Sequence, residues 1–303
     1  MPTPISPDLR RRILEAARAA DHDSSASLTV SSLAEYVGVS DKHFQRAFRQ
    51  VFDESPKQYI RRVRLQSAAY LLKWSDADVT QIALLSGFDT HAGFTKAFTR
   101  AYGRSPSAFR EALGVVPYMN ARVTESRGDD ADSVTLEASR LLVRVERTPA
   151  RRVAAMRHIG PAESCVEVWP RMVEWAKACG LLDKDSVLLG IHNDYWDANS
   201  EDKYRYDAAI VVDDDFSADN HVTTFVLPDG PVAMTEFDGS FHEADLAWRR
   251  FVDQWLPASG LLPRARFAYD VYPVDLIDAG PLARLMQTLI GIRATLCLPV
   301  VET

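Results

Sequence analysis

The sequence predicts a multidomain protein, with an all-α N-terminal domain of two helix-turn-helix units and an α+β C-terminal domain of two pseudo-symmetric strand-helix-strand repeats. One sequence pattern occurs twice within residues 1–115, and a different pattern occurs twice after about residue 136. The length of 303 residues also exceeds what a single hydrophobic core usually serves. We expect domains at residues 1–115 and 138–303, joined by a linker at 116–137.

The N-terminal pattern occurs twice, about fifty residues apart. The first copy consists of Leu33, Ala34, Gly38, Phe44, Phe48, Ser55, Pro56 and Tyr59. The second consists of Ile82, Ala83, Gly87, Phe94, Phe98, Ser105, Pro106 and Phe109, with one extra residue between its glycine and its first phenylalanine. Capping boxes begin at Ser32 and Asp78, and a glycine then interrupts the apolar helical spacing. Each copy therefore predicts a helix, a tight turn and a second helix.

The polar side of each predicted second helix is basic and nearly free of acids. An ordinary solvated helix mixes Glu with Lys, whereas Arg, Lys, Gln and Thr are side chains that contact base edges in the DNA major groove. The candidate DNA-contacting residues on these helices are Lys42, His43, Gln45, Arg46, Arg49, His91, Thr95, Lys96 and Arg100. Arg61, on a long helix predicted between the two units, suits a phosphate contact. A plain helical bundle with a solvated basic face is the alternative.

Residues 10–113 resemble the DNA-binding domain of the AraC/XylS family of bacterial transcription regulators. The residues that carry the resemblance are Ile82-Ala83, Gly87-Phe88, Phe94, Phe98, Gly103, Ser105-Pro106 and Arg110. The resemblance implies two helix-turn-helix units joined by a long helix. It also implies base-facing positions at Lys42, Gln45, Arg46, Ala92, Thr95 and Lys96. Ala92 departs from the polar residue that related members often have there, which favours backbone contacts by the second unit.

Charge is distributed unevenly along the chain. Residues 1–115 contain 16 Lys and Arg against 12 Asp and Glu, and the remainder holds 19 of the 35 basic residues and 30 of the 42 acidic ones. A basic part beside an acidic part is typical of a nucleic-acid-binding domain joined to a domain of another kind.

Several features indicate a cytoplasmic protein. No run approaches the roughly 20 apolar residues of a membrane span, and no signal segment opens the chain, so we expect no membrane partner. Cys165, Cys179 and Cys297 are widely spaced, which indicates reduced thiols, with a redox sensor as the alternative. The polar segment 125–132 is typical of a solvated linker.

The C-terminal pattern recurs about eighty residues apart. Val153–Gly160 parallels Val232–Gly239, and a tryptophan follows nine residues after each glycine. The further matches are Trp175 with Trp255 and Gly180-Leu181-Leu182 with Gly260-Leu261-Leu262. Each copy predicts a strand, a glycine turn, a tryptophan-bearing helix and a further strand, at Val187–His192 or Phe267–Tyr272. The repeat predicts a pseudo-twofold axis and a cleft where the halves meet.

An acidic residue, Asp270, stands in an otherwise apolar strand of the second half. A carboxylate surrounded by aromatic rings attracts a cationic or hydrogen-bonding amphipathic guest. A structural role for Asp270 is the alternative, and the sequence leaves both open. The candidate ligand-binding residues are Asp270, Trp248, Tyr269, Tyr272, Tyr195, Trp196, Tyr206 and Glu236.

Residues 138–303 resemble the gyrase-inhibitor-like (GyrI-like) effector-binding domain. The resemblance is carried by Arg157–Pro161, Lys203–Ala208, Trp255–Gly260 and Tyr269–Tyr272. It implies a pocket for hydrophobic, often cationic small molecules, in which family members typically have a glutamate where Asp270 stands. Some relatives of the domain hydrolyse small electrophiles, which supplies a second functional class.

These patterns predict a sequence-specific DNA-binding transcription regulator whose C-terminal domain senses a small amphipathic molecule, cationic or hydrogen-bonding. The expected partners are double-stranded promoter DNA, a small-molecule effector and RNA polymerase, and the expected location is cytoplasmic and nucleoid-associated. The sequence has no nucleophile elbow, His-Glu-x-x-His motif or phosphate-binding glycine loop, so we expect no catalysis, metal or cofactor. The alternatives for the C-terminal domain are a protein-interaction module and a hydrolase of small electrophiles.

Overall fold

A computed structural model of the chain describes residues 5–22, 28–112, 133–135, 141–194, 203–264, 267–274 and 292–302. The described residues form two compact units, one built from the N-terminal helices and one from the C-terminal sheet. The predicted fold class, helical helix-turn-helix units followed by an α+β domain, is confirmed. Within these ranges, no helix is both long and apolar enough to cross a bilayer.

The N-terminal unit is entirely helical. Its described helices are α1 (Pro7–His22), α2 (Val30–Val37), α3 (Asp41–Phe52), α4 (Pro56–Trp74), α5 (Val79–Leu85), α6 (His91–Tyr102) and α7 (Pro106–Ala112). The start of each of these helices is explained by an N-cap side chain that accepts a backbone N–H bond, which satisfies an otherwise unpaired donor. These N-caps are Ser6, Thr29, Ser40, Ser55, Asp78, Thr90 and Ser105.

The turns within the two helix-turn-helix units, α2–α3 and α5–α6, share a glycine but differ in length. Gly38 and Gly87 have φ values of 73° and 74°, a conformation that residues with a Cβ rarely adopt. The extra residue of the second unit lies in its turn, where Phe88 packs against Phe94 with ring centroids 5.2 Å apart.

The two helix-turn-helix units have the same aromatic packing. Phe48 stacks on Phe52 at 4.3 Å and meets the edge of Tyr59 at 5.3 Å. In the second unit, Phe98 stacks on Tyr102 at 4.4 Å and meets the edge of Phe109 at 5.2 Å. The repeated phenylalanines are therefore core residues, and they fix which face of α3 and of α6 remains outside.

The C-terminal unit combines strands with a few helices. Its described strands are β1 (Ser133–Thr135), β2 (Leu142–Thr148), β3 (Arg151–Gly160), β4 (Leu188–His192), β5 (Tyr204–Val211), β6 (Thr223–Leu227), β7 (Gly230–Gly239), β8 (Leu261–Pro263), β9 (Ala268–Tyr272) and β10 (Ile292–Glu302). Its helical elements are a 3₁₀ segment (Ala162–Val168), α8 (Trp169–Ala178), α9 (Phe241–Arg250), a π-helical turn (Phe251–Trp255) and α10 (Leu256–Ser259). Trp169 and Trp248 lie on α8 and α9, as the repeat predicts.

The two repeats form one sheet and exchange their outer strands. The strand order is β1-β2-β7-β10-β9-β4-β5-β3-β6, with β8 on β10, and β4 pairs antiparallel with β9 in the middle. Strand β2 ends two residues before β3 yet pairs with β7 of the other repeat, while β6 lies beside β3. Because each repeat completes the sheet of the other, we expect the halves to fold as one unit.

The sheet is curled around a shared core. One cluster contains residues from both halves, among them Val153, Leu189, Val232, Tyr269 and Cys297. The two-residue connection between β2 and β3 also requires these strands to lie near each other, although they are far apart in the strand order. Strand β1 lies in the segment predicted as a linker, where it pairs with β2. The rest of that linker lies outside the described residues.

Arg110 fastens α7 to the end of α4, and its replacement tests that contact. Its guanidinium donates to the carbonyls of Leu72, Ser75 and Ala77 at 3.2, 3.3 and 2.7 Å. Arg110→Lys removes this fork and should lower the local stability of α7 by about 1.5–3 kcal/mol, the usual value of charged hydrogen bonds. Hydrogen exchange of the α7 amides in the intact chain measures this. Arg104→Lys, at an exposed position, is the control, and equal protection in both variants would contradict the assignment.

Candidate functional site

The first helix-turn-helix unit places most of its predicted DNA-contacting side chains at the surface. Phe44, Ala47 and Phe48 bury the inner face of α3. The opposite face exposes Lys42, Gln45, Arg46 and Arg49, while His43 is half-buried. The helix therefore offers side chains of the kind that hydrogen-bond base edges, on the face that the core leaves outside.

The second helix-turn-helix unit has shorter side chains on the outer face of α6. His91, Ala92, Lys96 and Arg100 are exposed on α6. Thr95 is half-buried, and its hydroxyl oxygen is buried with no hydrogen-bond partner among the described residues. Thr95 can therefore present its methyl group more readily than its hydroxyl.

The three arginines of α4 differ in their surroundings. Arg61 is exposed, as a phosphate contact requires. Arg62 instead donates to Glu54 at 2.6 Å and lies 5.0 Å from the ring centre of Tyr59. Arg64 donates to the carbonyl of Leu28 at 3.1 Å. Arg62 and Arg64 therefore hold the helices together, and Arg61 is the outward-facing cation of the three.

In the C-terminal unit, Asp270 is the centre of a buried hydrogen-bond network. The side-chain carboxylate, 9% exposed, accepts bonds from three described side chains. Trp248 Nε1 donates at 3.1 Å, the Tyr272 hydroxyl donates at 3.0 Å, and His192 Nε2 donates at 2.8 Å. Because a carboxylate has about four acceptor positions, these donors satisfy most of it.

The network extends outward through aromatic side chains. In each step, the side chain farther from Asp270 can donate a hydrogen bond to the one nearer to it. Trp169 Nε1 donates to the Tyr206 hydroxyl at 3.0 Å, and that hydroxyl lies 3.4 Å from the Tyr272 hydroxyl. The Tyr204 hydroxyl lies 2.5 Å from His192 Nδ1. We call these seven residues the Asp270 network: Asp270, Trp248, Tyr272, His192, Tyr204, Tyr206 and Trp169.

The network lies where the two repeats meet. Gly190 and Asp270 hold the same position in the two repeated strands and are direct partners in the β4–β9 ladder. A Cβ on Gly190 would lie 2.1 Å from the Tyr206 hydroxyl and 2.9 Å from the Tyr272 ring. One repeat thus supplies the carboxylate, and the other supplies the space for the tyrosines around it.

Burial keeps the neighbouring acids of the network in their neutral forms. It raises the pKa of Tyr204, Tyr206 and Tyr272 well above the ordinary phenol value, and the charge of Asp270 adds to the shift. Burial and the same charge raise the pKa of the Cys165 thiol to about 12. These groups therefore act as hydrogen-bonding and apolar surfaces at neutral pH.

The structure unites four of the eight candidate ligand residues, namely Asp270, Trp248, Tyr272 and Tyr206. Tyr269 lies on the opposite face of β9, in the shared core, because successive strand residues alternate between faces. Glu236 is exposed on β7, where it accepts bonds from Arg144 and Thr295. Tyr195 and Trp196 lie outside the described residues.

Three members of the network were not predicted as ligand residues: His192, Tyr204 and Trp169. The repeat contained a signal for His192, since it holds the position in its strand that Tyr272 holds in the other. Tyr204 could have been predicted because it lies two residues before Tyr206, and residues two apart in a strand lie on the same face of the sheet. Trp169 matches Trp248 in the repeat, and its buried ring packs in the core while its Nε1 donates to Tyr206.

Comparison with known proteins supports the division of the chain into a helical N-terminal unit and a C-terminal sheet unit. A model described as a helix-turn-helix domain matches residues 33–112, and one described as a GyrI-like small molecule binding domain matches residues 143–277. An uncharacterized HTH-type transcriptional regulator of Haemophilus influenzae is 41% identical over 86 residues, which are 28% of this chain and 29% of that protein. The probable transcription factor PqrA of Proteus vulgaris is 33% identical over 84 residues, 28% of this chain and 69% of PqrA.

The transcriptional regulator Rob of Salmonella typhimurium is 32% identical over 120 residues, which are 38% of this chain and 41% of Rob. This chain thus spans about three tenths of the Haemophilus protein and about two fifths of Rob. The fold and these similarities define the class as helix-turn-helix transcription regulators. The chain belongs to the AraC/XylS family and has a Rob-like architecture, in which a GyrI-like domain follows the helix-turn-helix domain.

Gly190→Ala tests the close packing of the network. Tyr206 is buried and held by Trp169, so it cannot move aside cheaply, and overpacking of this kind costs about 1–3 kcal/mol. Urea unfolding of the intact chain, followed by tryptophan fluorescence, measures the loss. In a Tyr206→Phe background the hydroxyl is gone, so the same substitution should cost less. An equal cost in both backgrounds would contradict the clash.

Proposed function

We propose that the chain is a DNA-binding transcription regulator whose C-terminal domain binds a small amphipathic effector at the Asp270 network. Family membership supports the first part, and the GyrI-like domain supports the second. The observation that carries the effector proposal is a buried carboxylate enclosed by aromatic rings from both repeats. We further propose domains at 1–115 and 138–303, a cytoplasmic and nucleoid-associated location, and contact with RNA polymerase at promoters.

The geometry of the N-terminal unit supports binding of double-stranded DNA by a single chain. Two recognition helices, α3 and α6, flank α4, whose 19 residues span about 28 Å at 1.5 Å per residue. Successive major-groove segments on one DNA face lie about 34 Å apart. One chain can therefore place its helices in neighbouring grooves.

Arg46→Ala should weaken sequence-specific binding by about 1–3 kcal/mol, if Arg46 hydrogen-bonds a guanine. The measurement uses a duplex selected from a random pool by the wild-type chain, with random duplex as the comparison. Arg61→Ala is the matched control, because loss of a phosphate contact should weaken both duplexes equally and reduce the salt dependence. Equal loss on both duplexes for Arg46→Ala would show that Arg46 contacts phosphate.

The chemistry of the Asp270 network favours a cationic effector. The carboxylate supplies charge, and the rings of Trp248, Tyr206 and Tyr272 supply π faces that attract cations. The three donors around Asp270 offset the cost of burying its charge, since a buried carboxylate without partners is costly. The structural role and the ligand-binding role of Asp270 are therefore compatible, and we propose Asp270 as the charge that selects the effector.

Asp270→Asn should lower affinity for a lipophilic quaternary ammonium ion such as benzyltrimethylammonium about tenfold or more, because a charge-assisted contact contributes roughly 1.5–3 kcal/mol. Its amide N–H would also face a donor, so unfolding free energy should fall by about 1–3 kcal/mol. Calorimetric titration and urea unfolding of the intact chain measure these effects.

Tyr272→Phe is the control, because it removes one donor and keeps the charge. It should retain more affinity than Asp270→Asn at a comparable loss of stability. Equal affinity of Asp270→Asn and wild type would contradict the proposed site. Product formation in place of saturable binding would favour the hydrolase alternative, and binding of a protein partner would favour the interaction module.

A further inference from the structure

We infer that His192 sets the charge selectivity of the proposed effector site, because its imidazolium and a cationic effector compete for the same carboxylate. Cation binding should therefore release a proton from His192. The inference rests on the proposed function and adds a chemical condition to it: the site accepts a cation well when His192 is neutral and poorly when it is protonated.

The geometry shows that His192 holds the place of a cation. Its Nε2 lies 2.8 Å from Asp270 Oδ2, and its ring centre lies 5.3 Å from that of Tyr206 and 5.8 Å from that of Trp248. A cation within about 6 Å of an aromatic ring centre is attracted to it. A protonated His192 thus receives both contacts that a cationic guest would seek, a carboxylate and aromatic faces.

The hydrogen bonds allow both charge states of the ring. A carboxylate only accepts, so Nε2 carries a proton throughout. In the neutral ring, Nδ1 accepts from the Tyr204 hydroxyl, whereas in the imidazolium Nδ1 donates to the Tyr204 oxygen at the same 2.5 Å separation. Because a hydroxyl both donates and accepts, rotation of the Tyr204 O–H bond allows the hydrogen bond to His192 to reverse its direction.

His192 supplies the one imidazole of the described network. The titratable groups with a described contact to it are Asp270 on β9 and Tyr204 and Tyr206 on β5. Tyr272 shares the Asp270 carboxylate, and the Cys165 thiol on the 3₁₀ segment interacts with Asp270, Tyr204 and Tyr206. The tyrosines and the thiol have raised pKa values and stay neutral. Asp194, farther along the chain, forms its own pair with Arg205 at 2.5 Å. Between about pH 5 and 8, imidazole is the side chain that ordinarily titrates.

The direction of the linkage follows from the charges. At low pH, His192 and Asp270 together are neutral, and a cation gains little and meets a like charge. As pH rises and His192 loses its proton, the carboxylate charge is left for the cation, so affinity increases. The logarithm of the affinity can rise by at most one per pH unit, since one proton is exchanged.

The test is calorimetric titration of the intact chain with benzyltrimethylammonium, whose charge does not depend on pH. At pH 6.5, titrations in two buffers of different ionisation enthalpy should show release of a fraction of one proton per cation bound. Affinity should be about tenfold higher at pH 8 than at pH 5.5. His192→Gln, which keeps a donor toward Asp270 and does not titrate, should abolish the proton release and bind at pH 5.5 about as tightly as wild type does at pH 8.

His158→Gln is the matched control. His158 lies in the same cross-strand row as His192, with Tyr206 between them, but its Nε2 contacts the carbonyl of Pro161. This variant should behave as wild type.

Saturable binding by wild type with no proton release and no dependence on pH would overturn the role of His192 and leave the proposed site standing. Absence of binding at every pH would overturn the proposed site as well. The wild-type proton release tests the inference even if His192→Gln does not fold.

Discussion

One buried carboxylate, that of Asp270, links the two repeats of the C-terminal unit. A buried charge is costly unless hydrogen-bond donors surround it, and the donors for Asp270 come from β4, β9 and α9. Their supply requires both repeats in register, since His192 belongs to the first repeat and Trp248 to the second. The exchanged outer strands β2 and β6 have the same consequence, because each repeat completes the sheet of the other. The two copies differ at the centre of their shared ladder, where Asp270 in one strand faces Gly190 in its partner.

The N-terminal unit uses duplication in another way. Its two copies keep the same aromatic core, with Phe48 and Phe98 in matching stacks, but their outer faces differ. The α3 face presents long side chains such as Gln45 and Arg46, while α6 begins with His91, Ala92 and Gly93. Core packing demands similar residues in both copies, whereas the outer face is free to change. This difference favours base contacts by the first unit and backbone contacts by the second.

The sequence predicted the helical unit more fully than the sheet. Caps such as Ser55 and glycines such as Gly38 are local signals, so later helix starts and the turns could be located from them. The cap predicted at Ser32 was wrong, because Thr29 caps α2 and Ser32 is the third helical residue of its capping box. The strand pairing is not local: nothing within β2 indicates that it pairs with β7 instead of the neighbouring β3. Strand β10 was missed because Leu296–Val300 is buried on both faces and therefore lacks an alternating pattern. For the site, Asp270 and Trp248 were found as an acid in an apolar strand and a repeated tryptophan. His192 and Tyr204 were missed because their role appears only when β4 and β5 lie beside β9.

A small cation is proposed to bind where the donors of both repeats converge on Asp270. The most direct measurement follows the indole N–H resonances of the intact chain by nuclear magnetic resonance during titration with benzyltrimethylammonium. Trp248 donates its indole N–H to Asp270, whereas Trp74 lies on α4 in the other unit. We expect the Trp248 resonance to shift with the binding isotherm, the Trp169 resonance to shift through its contact with Tyr206, and the Trp74 resonance to stay unchanged. Saturable binding with the Trp248 resonance unmoved would contradict the proposed site.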